Sequence, residues 1–385
     1  MITINKIDKP NKIYAEVIED GAMDQFIEAM NQPSTIRGAL MPDAHQGYTL
    51  PIGAVIETDR MVFPSYVGFD IGCGMCAVPL TIPGMDISID PDEVWVKSQK
   101  IYELIKCFIP VGYNKHSLAV REMHKIDRNP DNLTQQMSDI FIDKLGYLQL
   151  GTLGGGNHFI EIGVDTESRV WAIVHSGSRG VGHGCASYYM RLAHPNNKAG
   201  EGHYGFSTDS QNGKDYIKDL NFCLDYALLN RKVMIRLIID AINEAGIECS
   251  YNYEFLINRN HNHAESKDGV KWIHRKGATH AEMGMMGVIP GNMRDGSFIV
   301  RGLGNEDSLC SSSHGAGRVL GRRKAKETLD IDAFEDTMKG IVANISKSTL
   351  DESPMAYKDI FDVMRLQAGL VEVITHVKPL INVKG

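Results

Sequence analysis

Histidine and glycine cluster together in this chain, in short segments that follow apolar, strand-like runs. This pairing constrains the fold more than any other feature. A glycine just after a strand lets the backbone turn sharply and approach a neighbour or ligand closely, and here the turns carry side chains that bind metals and phosphates. Of 385 residues, 38 are Gly and 14 are His. The runs Gly53 to Ile56, Phe159 to Val164, Val170 to Val174 and Ser297 to Val300 read as strands, the third as a continuous, fully buried one. A helix is expected from about Lys214 to Ala245. There Leu220, Cys223, Leu224, Ala227, Leu228, Met234, Leu237 and Ile238 recur at three- and four-residue spacing, and Gly246 supplies the stop. A second helical region is expected from near Asp332 to about Val371, broken at Pro354. No internal repeat or linker interrupts the chain, so the expectation is α+β: one large mixed domain over residues 1–385, with glycine-rich turns forming a central cleft.

The formal net charge of −8 argues against nucleic-acid binding by bulk charge, so any polyanion site must be a local cluster. No apolar run approaches the ~20 residues of a membrane span, and the first residues, MITINKIDKPNKIYAEV, lack the apolar core of a secretory leader. The seven Cys residues show no disulfide-framework spacing. A cytoplasmic protein with no membrane partner is expected.

Five segments carry chemistry. In GFDIGCGM, Asp70 and Cys73 could grip a borderline divalent metal; a tight turn with a capping Asp and a buried Cys is the structural alternative, and Cys73 with Cys76 also forms a CxxC. In GTLGGGNHFIEI, glycines precede Asn157 and His158, and a strand rather than a helix follows, which excludes a dinucleotide fingerprint. In WAIVHSGSRG, a buried strand ends at His175, and Ser176, Ser178 and Arg179 form a polar turn suited to phosphate. In NRNHNHAE, His261 could reach a metal, whereas His263 reads as surface polarity; Arg275 and Lys276 nearby are either phosphate contacts or solvated charges. In SSSHGAGRVLGRR, His314 is expected to open a helix with Arg318 and Arg322 on its face, an arrangement suited to phosphate chemistry. There is no Walker A lysine, and Lys267-Asp268-Gly269 lacks the spacer of the lysine-adenylate motif K-x-D-G.

Taken in order, FDIGCGM, GGGNHFIE, HSGSRG, NHNH, RKGA, SHGAGR, DESPMAYK and the terminal VKG resemble the RtcB-type 3′-phosphate RNA ligases, from Asp43 to Gly385. The resemblance implies an enzyme dependent on GTP and manganese. It would join RNA 3′-phosphate or 2′,3′-cyclic-phosphate ends to 5′-hydroxyl ends through a histidine-GMP intermediate, in RNA repair or tRNA splicing. It further implies that Cys73 bridges two Mn2+ ions, with Asp70 and His158 completing one site and His175 and His261 the other. His314 would take the GMP. Asn157, Phe159, Glu161, Asn292, Ser297, Ala316 and Lys384 would surround the nucleotide, and Arg179, Arg318 and Arg322 would hold RNA phosphates. Asn292 stands where the family pattern has Ser, and the loops before His314 and around residues 112 to 135 are short, which bears on RNA docking and on dependence on an accessory activator protein. A metal phosphodiesterase that only opens cyclic phosphates is the rival enzyme; it would need neither His314 nor Lys384. A non-catalytic RNA-binding protein would have no use for five metal-type ligands.

Overall fold

A computed structural model describes residues 7–385, so the first six residues of the segment considered for a leader lie outside it. Two sheets organise the chain, and most neighbouring strands in them are antiparallel. The larger has eight strands. Seven follow the order Met286–Pro290, Ser297–Gly302, Val371–Lys384, Phe159–Val164, Val170–Ser176, Gly74–Pro79 and Ile257–Asn260, and Val342–Ala343 pairs alongside Val371–Lys384. The smaller has five, ordered Asn11–Ile13, Thr35–His45, Ile52–Asp59, Lys271–Lys276 and Asn262–Glu265. The expected α+β class is what is observed.

Alternation along the strands decides where the site lies. Ile160, Ile162, Ala172, Val174, Cys76 and Val78 point to one face of the larger sheet, into a core shared with Ile235, Ile238 and Ile242 of the long helix and Ile101 and Ile105 of helix Ser98–Phe108. Burying each such side chain is worth about 1.5–3 kcal/mol. The intervening residues Phe159, Glu161 and His175 turn to the other face because side chains alternate along a strand.

The long helix spans Gln211–Glu244, close to its expected extent. The Ser210 hydroxyl caps it by accepting the Gly213 N–H, and Gly246 ends it at φ +91°. Two other expectations are corrected. The second helical region is not continuous: Ile331–Thr337 and Ile360–Leu366 are single short helices, separated by strand Val342–Ala343 and two 3-10 turns. His314 does not open a helix either. Gly317 turns at φ +76°, a Cβ there would lie 2.3 Å from the Asp43 carbonyl oxygen, and the next helix begins only at Arg322. Among the described residues no helix is long and apolar enough to cross a membrane.

Candidate active site

The long helix sends two polar side chains into the turns that carry the ligands. Arg231 is fully buried; it donates to the carbonyls of Gly72 (2.7 Å) and Ser176 (2.8 Å), each adjacent to a proposed ligand, and to the side chains of Asn258 and Asn260. Asn230 accepts the Gly151 N–H at 2.6 Å and donates to the Gly177 carbonyl at 3.1 Å. The sequence signal for both was present but unused: two polar residues within an otherwise apolar helical stripe.

Those turns converge. Cys73 Sγ lies 3.2 Å from His175 Nε2 and 3.4 Å from His158 Nε2, His158 Nε2 is 2.9 Å from Asp70 Oδ2, and His175 and His261 approach Nε2 to Nε2 at 3.3 Å. All five expected ligands therefore meet in one place, and Cys73 lies between His158 and His175. His158 Nδ1 donates to the Leu153 carbonyl at 3.0 Å, which leaves Nε2 as the ring nitrogen facing the cluster. Burial pushes the His175 and His261 pKa values well down, so both rings are neutral, and burial and Asp70 push the Cys73 thiol up. A thiol, a carboxylate and three imidazoles with converging donor atoms fit a borderline divalent ion, which would draw off the thiol proton. Glycine is required beside them, because a Cβ on Gly154 would sit 2.6 Å from His158 Nδ1 and closer still to Arg179.

His314 adjoins this cluster, its ring 4.7 Å from that of His261. Its Nδ1 is 2.7 Å from Asp43 Oδ2, and that oxygen also accepts the backbone N–H groups of His314 (3.1 Å) and Gly315 (3.3 Å). Asp43 is fully buried. Burial alone would raise its pKa, but the adjacent imidazole outweighs this and the net shift is downward, so it is a carboxylate and a firm acceptor. Nδ1 therefore donates to this carboxylate, and Nε2 is the ring nitrogen left free of it. Asp43 was missed as a site residue: it stands 271 positions from its partner, and a lone Asp in MPDAH carries no motif of its own.

A pocket of about 240 Å³ opens beside His314 and His175, lined by Asn157, Phe159, Asn292, Ala316, Asn382 and Lys384; Glu161 and Ser297 are buried near it. Burial pushes the Glu161 carboxyl up to about 8, with Ser297 and Lys384 opposing. Lys384 Nζ donates to Glu352 at 2.7 Å, and the same carboxylate takes Arg318 (3.3 Å) and Arg322 (2.6 Å). The three arginines do not form one cluster. Arg318 and Arg322 line a groove of about 710 Å³ containing His314, whereas Arg179 lines another of about 870 Å³; Asp70 borders both. Arg179 holds a left-handed φ of +60° and donates to Gly112 O at 2.9 Å, backbone strain of a kind that concentrates at functional sites.

His263 is not at the surface. It is 3 % exposed, its ring stacks on His280 at 4.5 Å, and Arg275 is fully buried between His263 and Glu265.

Fold and site together define an α+β protein in which a cysteine-centred set of metal ligands adjoins a carboxylate-aligned histidine, a class suited to phosphate chemistry. Residues 25–385 match the family model described as tRNA-splicing ligase RtcB. The chain is 33% identical to the RNA-splicing ligase RtcB of Escherichia coli strain K12, over 96% of this chain and 95% of that protein. It is 28% identical to the tRNA-splicing ligase RtcB of Nanoarchaeum equitans (99% and 96%) and 27% identical to RNA-splicing ligase RtcB homolog 1 of Entamoeba dispar (97% and 85%). The chain belongs to the RtcB family.

Proposed function

We propose that the protein is an RNA ligase that uses GTP and manganese to join RNA 3′-phosphate or 2′,3′-cyclic-phosphate ends to 5′-hydroxyl ends. The observation that carries this reading is the tethering of His314: with Nδ1–H held by buried Asp43, its Nε2 is free beside both the ligand cluster and the pocket lined by Asn157, Phe159 and Lys384.

His314 Nε2 attacks the α-phosphorus of GTP; a P–N bond forms, the bond to the bridging oxygen breaks, and pyrophosphate departs. Asp43 supports the positive charge that develops on the ring, as a carboxylate does for a catalytic imidazole. An RNA 3′-phosphate oxygen then attacks the same phosphorus and displaces His314, leaving GMP joined to the 3′-end. The 5′-hydroxyl attacks the RNA 3′-phosphorus and GMP leaves with its electron pair. Asp70, Cys73, His158, His175 and His261 would hold two Mn2+ ions, whose positive charge would offset that of the phosphate oxygens. Asn157, Phe159, Glu161, Ser297, Ala316 and Lys384 enclose the nucleotide, while Asn292 shapes the pocket wall; Arg179, Arg318 and Arg322 serve RNA phosphates.

The test is ligation of a 3′-phosphate RNA to a 5′-hydroxyl RNA with Mn2+, comparing GTP with ATP. Joined product with GTP alone is expected. Opening of cyclic phosphates without joining would favour the phosphodiesterase reading instead.

A further inference from the structure

The nucleotide pocket ends in buried polar atoms that no well-formed hydrogen bond from the described residues satisfies. Strand Phe159–Val164 lies antiparallel to the second half of Val371–Lys384, with Glu161 opposite Asn382 and Phe159 opposite Lys384. Directly opposed residues share a face. The neighbours Ile160, Ile162, Ile381 and Val383 turn into the helix-covered core, so Glu161 and Asn382 turn together toward the pocket side, where Asn382 is part of the lining. Glu161 Oε1, Ser297 Oγ and Asn382 Oδ1 are each fully buried without a well-formed hydrogen bond among the described residues, and Asn382 is 2 % exposed. Unpaired buried polar atoms are costly and rare. Several gathered at one pocket mark a place where a ligand completes the bonding.

Asn292 cannot complete it. Its Nδ2 donates to Asp295 at 2.7 Å and its Oδ1 accepts the N–H groups of Arg294 and Asp295 at 3.0 Å, so both ends of its carboxamide build its own turn. Asn382 has no such commitment through its oxygen.

We infer that Asn382 is a base-reading residue of the nucleotide pocket, its carboxamide oxygen accepting a hydrogen bond from the 2-amino group of guanine beside Glu161. Guanine presents two adjacent donors, N1–H and the 2-amino group; hypoxanthine keeps only the first, and adenine has neither. Paired acceptors on adjoining strands match guanine and disfavour both alternatives. This assignment rests on the reading of the pocket as the GTP site.

GMP, IMP and AMP, which cannot guanylylate the protein, separate the two claims by calorimetric titration of the wild-type, Asn382→Leu and Asn382→Asp proteins. Wild type should bind GMP about three- to tenfold more tightly than IMP, the range for one neutral hydrogen bond. Asn382→Leu should lose that preference by weakening GMP alone, and Asn382→Asp, which keeps an acceptor oxygen, should retain it. An unchanged GMP-to-IMP ratio in Asn382→Leu, or equal weakening of both ligands, overturns the role of Asn382 while leaving the GTP reading intact. Equal binding of GMP and IMP by wild type overturns it whether or not either variant folds. Wild-type protein that binds no guanine nucleotide overturns both.

Discussion

Among the described residues two clusters bring several histidines together with carboxylates, and one of the two has its centre left for a cation. Around Cys73 the donor atoms of His158, His175, His261 and Asp70 converge with no Lys or Arg of the described residues bonded between them. Around His263 the ingredients are similar, with Glu265, His280 and Glu282, but Arg275 sits among them. It donates to Glu265 and His263, and its remaining N–H groups reach Ser311 Oγ (2.8 Å) and Leu309 O (3.2 Å), at and beside the strand that leads to His314. The first cluster leaves charge to be supplied from outside. The second already contains its cation and acts as a brace. The lesson is that residue types do not define a metal site; what occupies the centre of the cluster does.

The sharpest way to break this contrast is to remove the central thiol. Cys73→Ala should lose bound Mn2+ and all ligation, whereas Cys76→Ala, whose side chain packs into the helix-covered core, should keep near wild-type metal content. Equal metal loss in both variants would instead indicate a CxxC site. Removing the other cluster's cation should act on stability. Arg275→Met leaves part-buried Glu265 and Glu282 without their cation and should cost about 1–3 kcal/mol in chemical denaturation, with Mn2+ stoichiometry unchanged in the folded fraction. Mn2+ bound at His263, Glu265 and His280 in the wild type would erase the distinction.

A third test uses Glu352, the acidic counterpart of Arg275. Burial opposes its ionisation, but Lys384 and Arg322 outweigh burial and pull its pKa down to about 2. A depressed carboxyl stabilises the fold above its unfolded pKa and loses that contribution as pH falls through the folded value. Glu352→Gln should therefore be less stable than wild type at pH 7, by on the order of 3 kcal/mol. The gap should narrow from about pH 4.5 and close near pH 2; a gap that persists there would refute the linkage. The smallest effect concerns the arginines. Arg318 is mostly committed inward, to Leu320 O (3.0 Å), Tyr357 (3.2 Å), Asp351 O (2.6 Å) and Glu352, whereas Arg322 is 44 % exposed and bonds through Nη1 alone. Arg322→Ala should weaken use of RNA about tenfold to a hundredfold, with a smaller fall in labelling by GTP through its bond to Glu352 beside Lys384. Arg318→Ala should impair both, because its inward bonds to Leu320, Asp351 and Tyr357 shape the wall of the nucleotide pocket. Separate kinetics of the two steps decide.

The same contrast explains what could be read from the sequence. The ligands were legible because each sits in a glycine turn after a strand, and the long helix because its apolar stripe runs unbroken for many turns. The helix expected at His314 failed because four-residue spacing is shared by helices and by chance; Gly317, packed against Asp43, breaks it. His263 reads as surface polarity because its neighbours in sequence are polar, whereas tertiary packing buries it under His280. Asp43, Asn230 and Arg231 act across long sequence separations, which local patterning does not report.

The central claim is that buried Asp43 holds His314 so that Nε2 becomes the nucleophile. It is tested most directly by incubating the protein with α-labelled GTP and Mn2+ and mapping the label. The account predicts one acid-labile, alkali-stable label on His314, absent in His314→Ala and strongly reduced in Asp43→Asn. Label of undiminished yield in His314→Ala, or label mapped to a lysine, would contradict it.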